Sequence, residues 1–255
     1  MEHQVPDARL GVLSAFIMSY WDKKEKLVKY VDGVRQFFPL ASDQLEVISR
    51  VIAKFKPEVR TFMDLGCGDG ILGRYIHQLF PEAYGVFLDI SGEMINKARK
   101  KVKVRQAEFI VADLGDAEWS DSLSGAGPFD LIISGYAIHH IKNPDKLRLY
   151  QDVFGLLNQD GVFLNLEHVA SPSQEIKEMF NDLFLDCMAD YHEHIHDSRS
   201  ADEIKVIYDD PEHKALNLLE AVEVQCDWLR EIGFSNVDCY LKIFELALFG
   251  GTRNT

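Results

Sequence analysis

Cysteine is scarce in this chain and its copies are scattered: Cys67, Cys187, Cys226 and Cys239 never approach C-x-x-C spacing. That pattern suggests neither a disulfide framework nor a zinc knuckle, and it reads as four ordinary reduced thiols. Long apolar runs are missing too. No stretch of about 20 apolar residues is available to span a bilayer, and the first residues, Met1 to Asp7, lack the basic start and apolar centre of a secretory signal. The expectation is a cytoplasmic protein with no membrane partner. Positive charge is in short supply: 27 Lys and Arg face 41 Asp and Glu, a formal net charge of −14. An excess of that size repels polyanions, which disfavours a nucleic-acid partner. The densest basic run, residues 97–105, reads as the solvated face of a helix with cations near its C-terminus. No internal repeat or low-complexity tract is visible.

What is present is a glycine-rich turn. Residues 61–65 form an apolar run broken only by Asp64, and they feed into Gly66-Cys67-Gly68-Asp69-Gly70 and then a helical pattern. Each glycine can take positive φ and lets another backbone or a ligand approach closely, while the next helix aims its N-terminus at the same place. By spacing alone the loop names no ligand, since Gly68, Gly70 and Gly73 also fit the dinucleotide pattern G-x-G-x-x-G. The acids around it discriminate. Asp64, two positions before the first glycine, would repel a pyrophosphate, whereas Asp64 and Asp69 suit S-adenosylmethionine, which has no phosphate and carries a sulfonium and an ammonium group. Two more apolar runs end in acids, residues 85–89 at Asp89 and residues 109–113 at Asp113. Asp89 lies about 20 residues beyond the loop, the spacing at which a carboxylate can accept ribose hydroxyls, and Asp113 could accept from an adenine amino group.

Taken together, residues 63–70, 88–94, 112–114 and 129–140 resemble the class I S-adenosylmethionine-dependent methyltransferases, over roughly residues 60 to 168. The resemblance implies S-adenosyl-L-methionine as cofactor, with Gly66, Gly68 and Gly70 at its methionine part, Asp89 at the ribose, Ile90 and Met94 on the adenine face, and Asp113 with Leu114 at the adenine edge.

Periodicity along the chain alternates between strand and helix. Strands are predicted near 59–65, 84–89, 107–112, 129–134 and 161–167, with helices over 71–80, 91–103 and 143–157 between them, so a parallel sheet with right-handed crossovers follows. Helical spacing over residues 8–56 reads as an N-terminal cap (1–58) ahead of the core (59–168). Residues 169–217 read as a helical lid insertion, and 218–255 as a last helix ended by Gly233 and a closing pair of strands, 237–239 and 243–249. Such a pair also closes the sheet in the family resembled. The expected fold is one α/β domain: a doubly wound, seven-stranded, mostly parallel Rossmann-like sheet with the cap and the lid added.

Ligands of open α/β sheets bind beyond the C-terminal strand edge. Past the fourth and fifth strands stand Tyr136, His139 and His140, and then Glu167 and His168. His139 and His140 are candidate bases for an acceptor that must lose a proton; the alternative is that one packs on the cofactor and the other bonds the backbone. Tyr136, Glu167 and His168 are candidate acceptor-site residues, although Glu167 and His168 can also simply cap the strand. In the insertion, His192 and His196 share a helix face at i, i+4, a spacing able to chelate a divalent ion with help from Asp190, Glu193 or Asp197. A lid that touches substrate without metal is the preferred reading. Tyr20, Trp21, Tyr30, Phe37 and Phe38 in the cap and Tyr191 and Tyr208 in the insertion add aromatic surface.

The expected activity is methyl transfer to a small-molecule acceptor. The rivals are an enzyme similar to carboxy-S-adenosylmethionine synthase, for which Arg199 is the only arginine the insertion offers, and a non-catalytic cofactor-binding regulator. The sequence says nothing of oligomeric state.

Overall fold

The computed structural model describes residues 39–194, 203, 205–206 and 211–254. The cap aromatics up to Phe38 and the insertion residues His196, Asp197, Arg199 and Tyr208 lie outside the described residues, so those readings have no structural counterpart here.

Alternation within each strand explains the architecture. In β1 (Thr61–Leu65), Phe62 turns to one side of the sheet, and Met63 and Leu65 to the other. β2 (Tyr84–Asp89) divides likewise, with Phe87 on the first face and Val86 and Leu88 on the second. Strands buried on both faces need helices on both, because neither apolar surface can be left in water. The first face is covered by α1 (Ala41–Phe55), α2 (Ile71–Leu79) and α3 (Gly92–Lys101). The second carries α4 (Asn143–Leu156), α7 (Val222–Ile232) and a 3-10 turn at Trp119–Leu123. Phe62, Met63, Phe87 and Leu88 are fully enclosed, and each such side chain contributes about 1.5–3 kcal/mol relative to exposure.

The remaining strands are β3 (Ala107–Val111), β4 (Phe129–Gly135), β5 (Leu157–His168), β6 (Ser235–Ile243) and β7 (Leu246–Arg253). They form one seven-stranded sheet in the order β3-β2-β1-β4-β5-β7-β6, and β7 alone runs against the others. The chain reverses its winding between β1 and β4, whose Leu65 and Ser134 are paired. At such a switch point the connections on either side diverge and open a crevice beyond the strand ends.

Of the expected cap, the described residues contain α1, whose Leu45, Ile48, Val51 and Ile52 are buried at helical spacing. Of the expected lid they contain α5 (Gln174–His194) and the short α6 (Pro211–Ala215). Phe180 and Phe184 of α5 pack on Leu246 at the start of β7, with Tyr136, Met188 and Phe244 around them. Two boundaries differ from the sequence expectation. The fifth strand, expected over 161–167, begins at Leu157, and Asp160, at φ 58°, sits where the β4–β5 register shifts. The closing hairpin turns at Phe244-Glu245, since Ile243 already pairs with Leu246. Phe244 holds φ 49° there, and no Gly, Asn or Pro marks the turn.

One polar residue breaks the logic of the first face. His77 in α2 is 5% exposed and packs edge-on against Phe62, ring centres 4.8 Å apart, and also beside Phe87. Both of its ring nitrogens are enclosed without a hydrogen-bond partner. Burial therefore lowers its pKa from 6.5 and keeps it neutral. As pH falls below 6.5 the unfolded chain takes up a proton that the folded chain resists, so this group removes stability on the acid side and is neutral above it. Replacing an unsatisfied buried polar group by an apolar one of similar size is favourable. His77→Leu is expected to gain about 1 kcal/mol, or about 2–4 °C in melting temperature, and the gain should be larger at pH 5.5 than at pH 8. Thermal unfolding of both proteins at the two pH values checks this; a less stable variant at both would contradict it.

Candidate cofactor and acceptor site

The glycine loop between β1 and α2 is built from three left-handed residues, Gly66 at φ 64°, Gly68 at 54° and Gly70 at 82°. Their reasons differ. A Cβ on Gly66 would stand 2.2 Å from the Cβ of Ala137, so the loop lies directly on the segment that follows β4. Gly70 caps α2, and a Cβ there would press on Val102 at 3.0 Å. A Cβ on Gly68 would meet no atom within 4 Å, so its backbone faces open space. Gly73, one turn into α2, packs against the Phe87 ring and does not belong to the open surface.

Carboxylates hold the loop in shape. Asp64, 1% exposed, accepts from the Gly73 N–H at 2.8 Å, so one of its oxygens anchors the first turn of α2, where the helix dipole favours a negative charge. Asp89, at the end of β2, accepts from the Gly68 N–H through Oδ2 and from the Ser91 N–H through Oδ1, both at 2.8 Å. An ionised carboxylate offers about four acceptor positions, so both oxygens of Asp89 retain capacity for hydroxyl donors. Asp69 is paired with Lys101 of α3 at 2.5 Å, which gives one member of the basic run a specific task. Asp113 accepts from the Gly115 N–H at 2.8 Å and is exposed. Around Asp89 and Asp113 the surface is apolar: Ile90, Met94 and Val111 are 65%, 38% and 56% exposed. Val111 is the register partner of Asp89. Leu114 instead buries its side chain in the second-face core, so only its backbone can serve an adenine edge.

The candidate acceptor residues begin at the switch point. After β4, Tyr136 takes φ 55° and its hydroxyl donates to Gln44 of α1 at 3.2 Å. A 3-10 turn, Ile138–His140, then brings the two histidines beside the loop. They separate in role. His140 is exposed and its Nδ1 lies 3.0 Å from the Leu216 carbonyl. His139 is buried, and its Nδ1 lies 2.6 Å from Oε1 of Glu167. Glu167 is 1% exposed. Burial would raise its carboxyl, but the His139 imidazole and the His168 backbone N–H, which donates to it at 2.8 Å, outweigh that and hold it below the ordinary range. His168 is half-buried; its Nε2 lies 2.8 Å from Oε2 of Glu245, its ring meets His139 edge-on with centres 5.6 Å apart, and Phe180 of α5 lies against it.

The structure thus gathers Asp64, Gly66, Gly68, Gly70, Asp89, Ile90, Met94 and Asp113 along the ends of β1 to β3, and Tyr136, His139, Glu167 and His168 along the ends of β4 and β5. Sequence reasoning missed the support behind Glu167. Asn165 reaches Glu167 and the Tyr150 hydroxyl at 3.5 and 3.3 Å, Tyr150 donates to Gln225 at 2.6 Å, and buried Lys146 bonds Asn143 and the Leu218 carbonyl. Asn165 and Glu167 two apart in an apolar strand were the available signal. Glu245 left no local trace. Among the described residues no group of three or more His, Cys, Asp or Glu is arranged to hold a metal. His192 is buried on the same helix stripe as Phe180 and Phe184. A cavity of about 750 Å³, lined by Phe154, Leu156 and Arg253 among others, lies at the opposite end of β5.

The loop geometry makes a sharp prediction. Gly66→Ala should destabilise the protein by about 2–3 kcal/mol, combining the collision with Ala137 and the left-handed backbone. Adding Ala137→Gly should recover the collision part and leave about 1 kcal/mol of backbone strain. Chemical denaturation of the two single variants and the double variant measures the coupling, and strict additivity would refute the contact.

A family model described as a methyltransferase domain matches residues 62–161. A ribosomal RNA large subunit methyltransferase G from Shewanella halifaxensis is 29% identical over 133 residues, 48% of this chain and 31% of that protein. A carboxy-S-adenosyl-L-methionine synthase from Campylobacter concisus is 25% identical over 157 residues, 61% of this chain and 64% of that protein. The chain therefore spans less than two thirds of the length of each. An O-methyltransferase family protein from Burkholderia thailandensis shares the fold, with a TM-score of 0.57 at 14% identity over 95% of this chain and 70% of that one. With the glycine loop, the acids at the strand ends and the β3-β2-β1-β4-β5-β7-β6 sheet all in place, residues 62–161 carry a methyltransferase domain, and the chain is similar to the class I S-adenosylmethionine-dependent methyltransferases.

Proposed function

We propose that the chain transfers a methyl group to a hydroxyl or amine of a small-molecule acceptor, with His139 as the base. The residues fit S-adenosylmethionine: open backbone at Gly68, Asp89 with spare acceptor capacity, and exposed Ile90, Met94 and Val111 for an adenine. When bound, that cofactor supplies a methyl already activated by its sulfonium, so the protein has mainly to align the acceptor and take its proton.

The His139–Glu167 pair carries the reading. Glu167, kept ionised, accepts the Nδ1 proton, which fixes the tautomer of His139 and leaves Nε2 with its lone pair. As His139 takes the acceptor's proton on Nε2, the adjacent carboxylate stabilises the imidazolium that forms. A small acceptor is favoured over RNA by the net charge of −14. It is also favoured by α5, whose Phe180 meets His168 and so lies over the same strand ends.

The similarity to a carboxy-S-adenosyl-L-methionine synthase supports a second reading, in which the cofactor itself is the molecule modified. Mass spectrometry separates the two, since one reaction leaves a demethylated cofactor and the other a carboxylated one. Binding comes first. Calorimetric titration of metal-stripped protein should give micromolar affinity for S-adenosylmethionine and S-adenosylhomocysteine and none for NAD. Asp89→Ala and Gly68→Val should each weaken the adenosyl ligands by about tenfold or more, or about 1.4 kcal/mol; unchanged affinity in both variants would remove the assignment.

A further inference from the structure

The connection from β3 to β4 is long, and α4 grips it at two places. Beyond Val111 the chain runs through Asp113, Leu114 and Gly115 to the 3-10 turn at Trp119–Leu123. Arg148 of α4 donates through Nη2 to the Gly115 carbonyl at 2.6 Å, and Asp152, one turn further along the same helix, accepts from Nε1 of Trp119 at 2.9 Å. Residues four apart share a helix face, so both holds lie on one stripe of α4. Arg148 is itself aimed from the turn before, because Asp145 accepts from its Nη1 at 2.7 Å. Its third nitrogen, Nε, is enclosed without a partner. An unmatched buried donor costs stability, so packing alone does not account for an arginine at this position.

What Arg148 holds is a tight turn. The Asp116 N–H donates to the Asp113 carbonyl at 3.0 Å, and the Gly115 N–H donates to Oδ1 of Asp113 at 2.8 Å. On one side the turn is tied to β2, through the Ala112 N–H and the Asp89 carbonyl at 3.1 Å, and Leu114 sinks its side chain into the second-face core. On the other side Asp116, Ala117 and Glu118 are all exposed. Between the buried side chains of Leu114 and Trp119 it is therefore the Arg148 bond that fixes the main chain from another element.

From this we infer that Arg148 is a positioning residue for the base of the cofactor, holding the Asp113–Gly115 turn in the shape that separates adenine from other purines. The inference rests on the S-adenosylmethionine reading, in which Asp113 and the Leu114 backbone meet the adenine edge. Adenine offers an amino donor beside a ring-nitrogen acceptor, so it asks for an acceptor and a donor side by side. Oδ1 of Asp113 is engaged by Gly115, which leaves Oδ2 for the amino group, with the Leu114 N–H as donor to the ring nitrogen. The spacing of that pair is set by the turn, and Arg148 acts on the base only through the Gly115 carbonyl. Arginine suits the task because its planar fork fixes two bonds at a set angle, one to Asp145 on its own helix and one across to Gly115.

The test titrates the full chain with S-adenosylhomocysteine and with S-inosylhomocysteine, in which a carbonyl replaces the amino group and the neighbouring ring nitrogen carries hydrogen. The parent protein is expected to prefer the adenosyl ligand by about tenfold or more, since the inosyl ligand sets acceptor against acceptor and donor against donor. Arg148→Met keeps the length of the side chain and removes its donors. It should weaken the adenosyl ligand by about tenfold and leave the inosyl ligand within about twofold, so that the preference collapses. Arg148→Lys, which can still donate to Gly115, should restore most of it. Asp145→Asn loosens the guanidinium without removing it; it should shift the preference in the same direction, and it carries the test if Arg148→Met does not fold. An equal loss on both ligands marks a purely structural role and overturns the inference, as does an unchanged preference in Arg148→Met or, in its place, Asp145→Asn. A parent protein that binds neither ligand, or both alike, overturns it by a separate route, because the adenine assignment itself has then failed.

Discussion

A carboxylate shut away from water is the constraint around which the ends of β4 and β5 are arranged. An isolated charge in such a place is costly, and it persists only where donors surround it. Glu167 has the His139 imidazole, the His168 backbone N–H and the Asn165 amide around it. Those donors need partners in turn: Asn165 bonds Tyr150, Tyr150 bonds Gln225, and Gln225 reaches the Glu220 carbonyl. Lys146, also buried, sits near enough to Glu167 and Glu220 to feel both charges. One acid at a strand end thus sets the identity of residues on α4, β5 and α7, and it binds those elements by direction as well as by apolar contact.

The glycine loop holds its shape by different means. Its elements meet backbone to backbone, and the side chains that matter most are the ones that are missing. Gly66 admits Ala137, Gly73 admits the Phe87 ring, and Gly68 leaves a bare stretch of main chain. Asp64 and Asp89 then fasten that main chain by its own N–H groups. Both halves share the sheet but not the means of holding shape.

That contrast explains how much could be read from the sequence. The glycine loop was legible because each of its parts is local: a strand, a glycine turn and a helix within about 15 residues, with the next acid at the end of the next strand. The alternation of strand and helix was legible for the same reason, and the seven-stranded, mostly parallel sheet was expected from the family resemblance. The cluster at the ends of β4 and β5 was legible only in fragments. Tyr136, His139, Glu167 and His168 stood out by position at strand ends, but their pairing depends on contacts across 28 residues for His139 with Glu167 and 77 for His168 with Glu245. Nothing in the residues near Glu245 announces it, because its turn is made by Phe244 in a left-handed conformation that sequence patterns assign to glycine or asparagine. The same blindness moved the boundary of β7 and hid the irregularity at Asp160.

The place of Glu245 in the hairpin joins distant parts of the molecule. Its turn is two residues long, so the carboxylate that orients His168 is fixed by the pairing of β7 with β6, the strand at the outer edge of the sheet. Edge strands carry unpaired backbone groups and are where a sheet meets other molecules. Anything that lengthens, twists or loosens that rim changes the angle at which the His168 imidazole is held at the end of β5, while the glycine loop, four strands away, stays as it was. The His168–Glu245 pair and the glycine loop are in this way mechanically separable: the first is held from the margin of the sheet and the second from its middle.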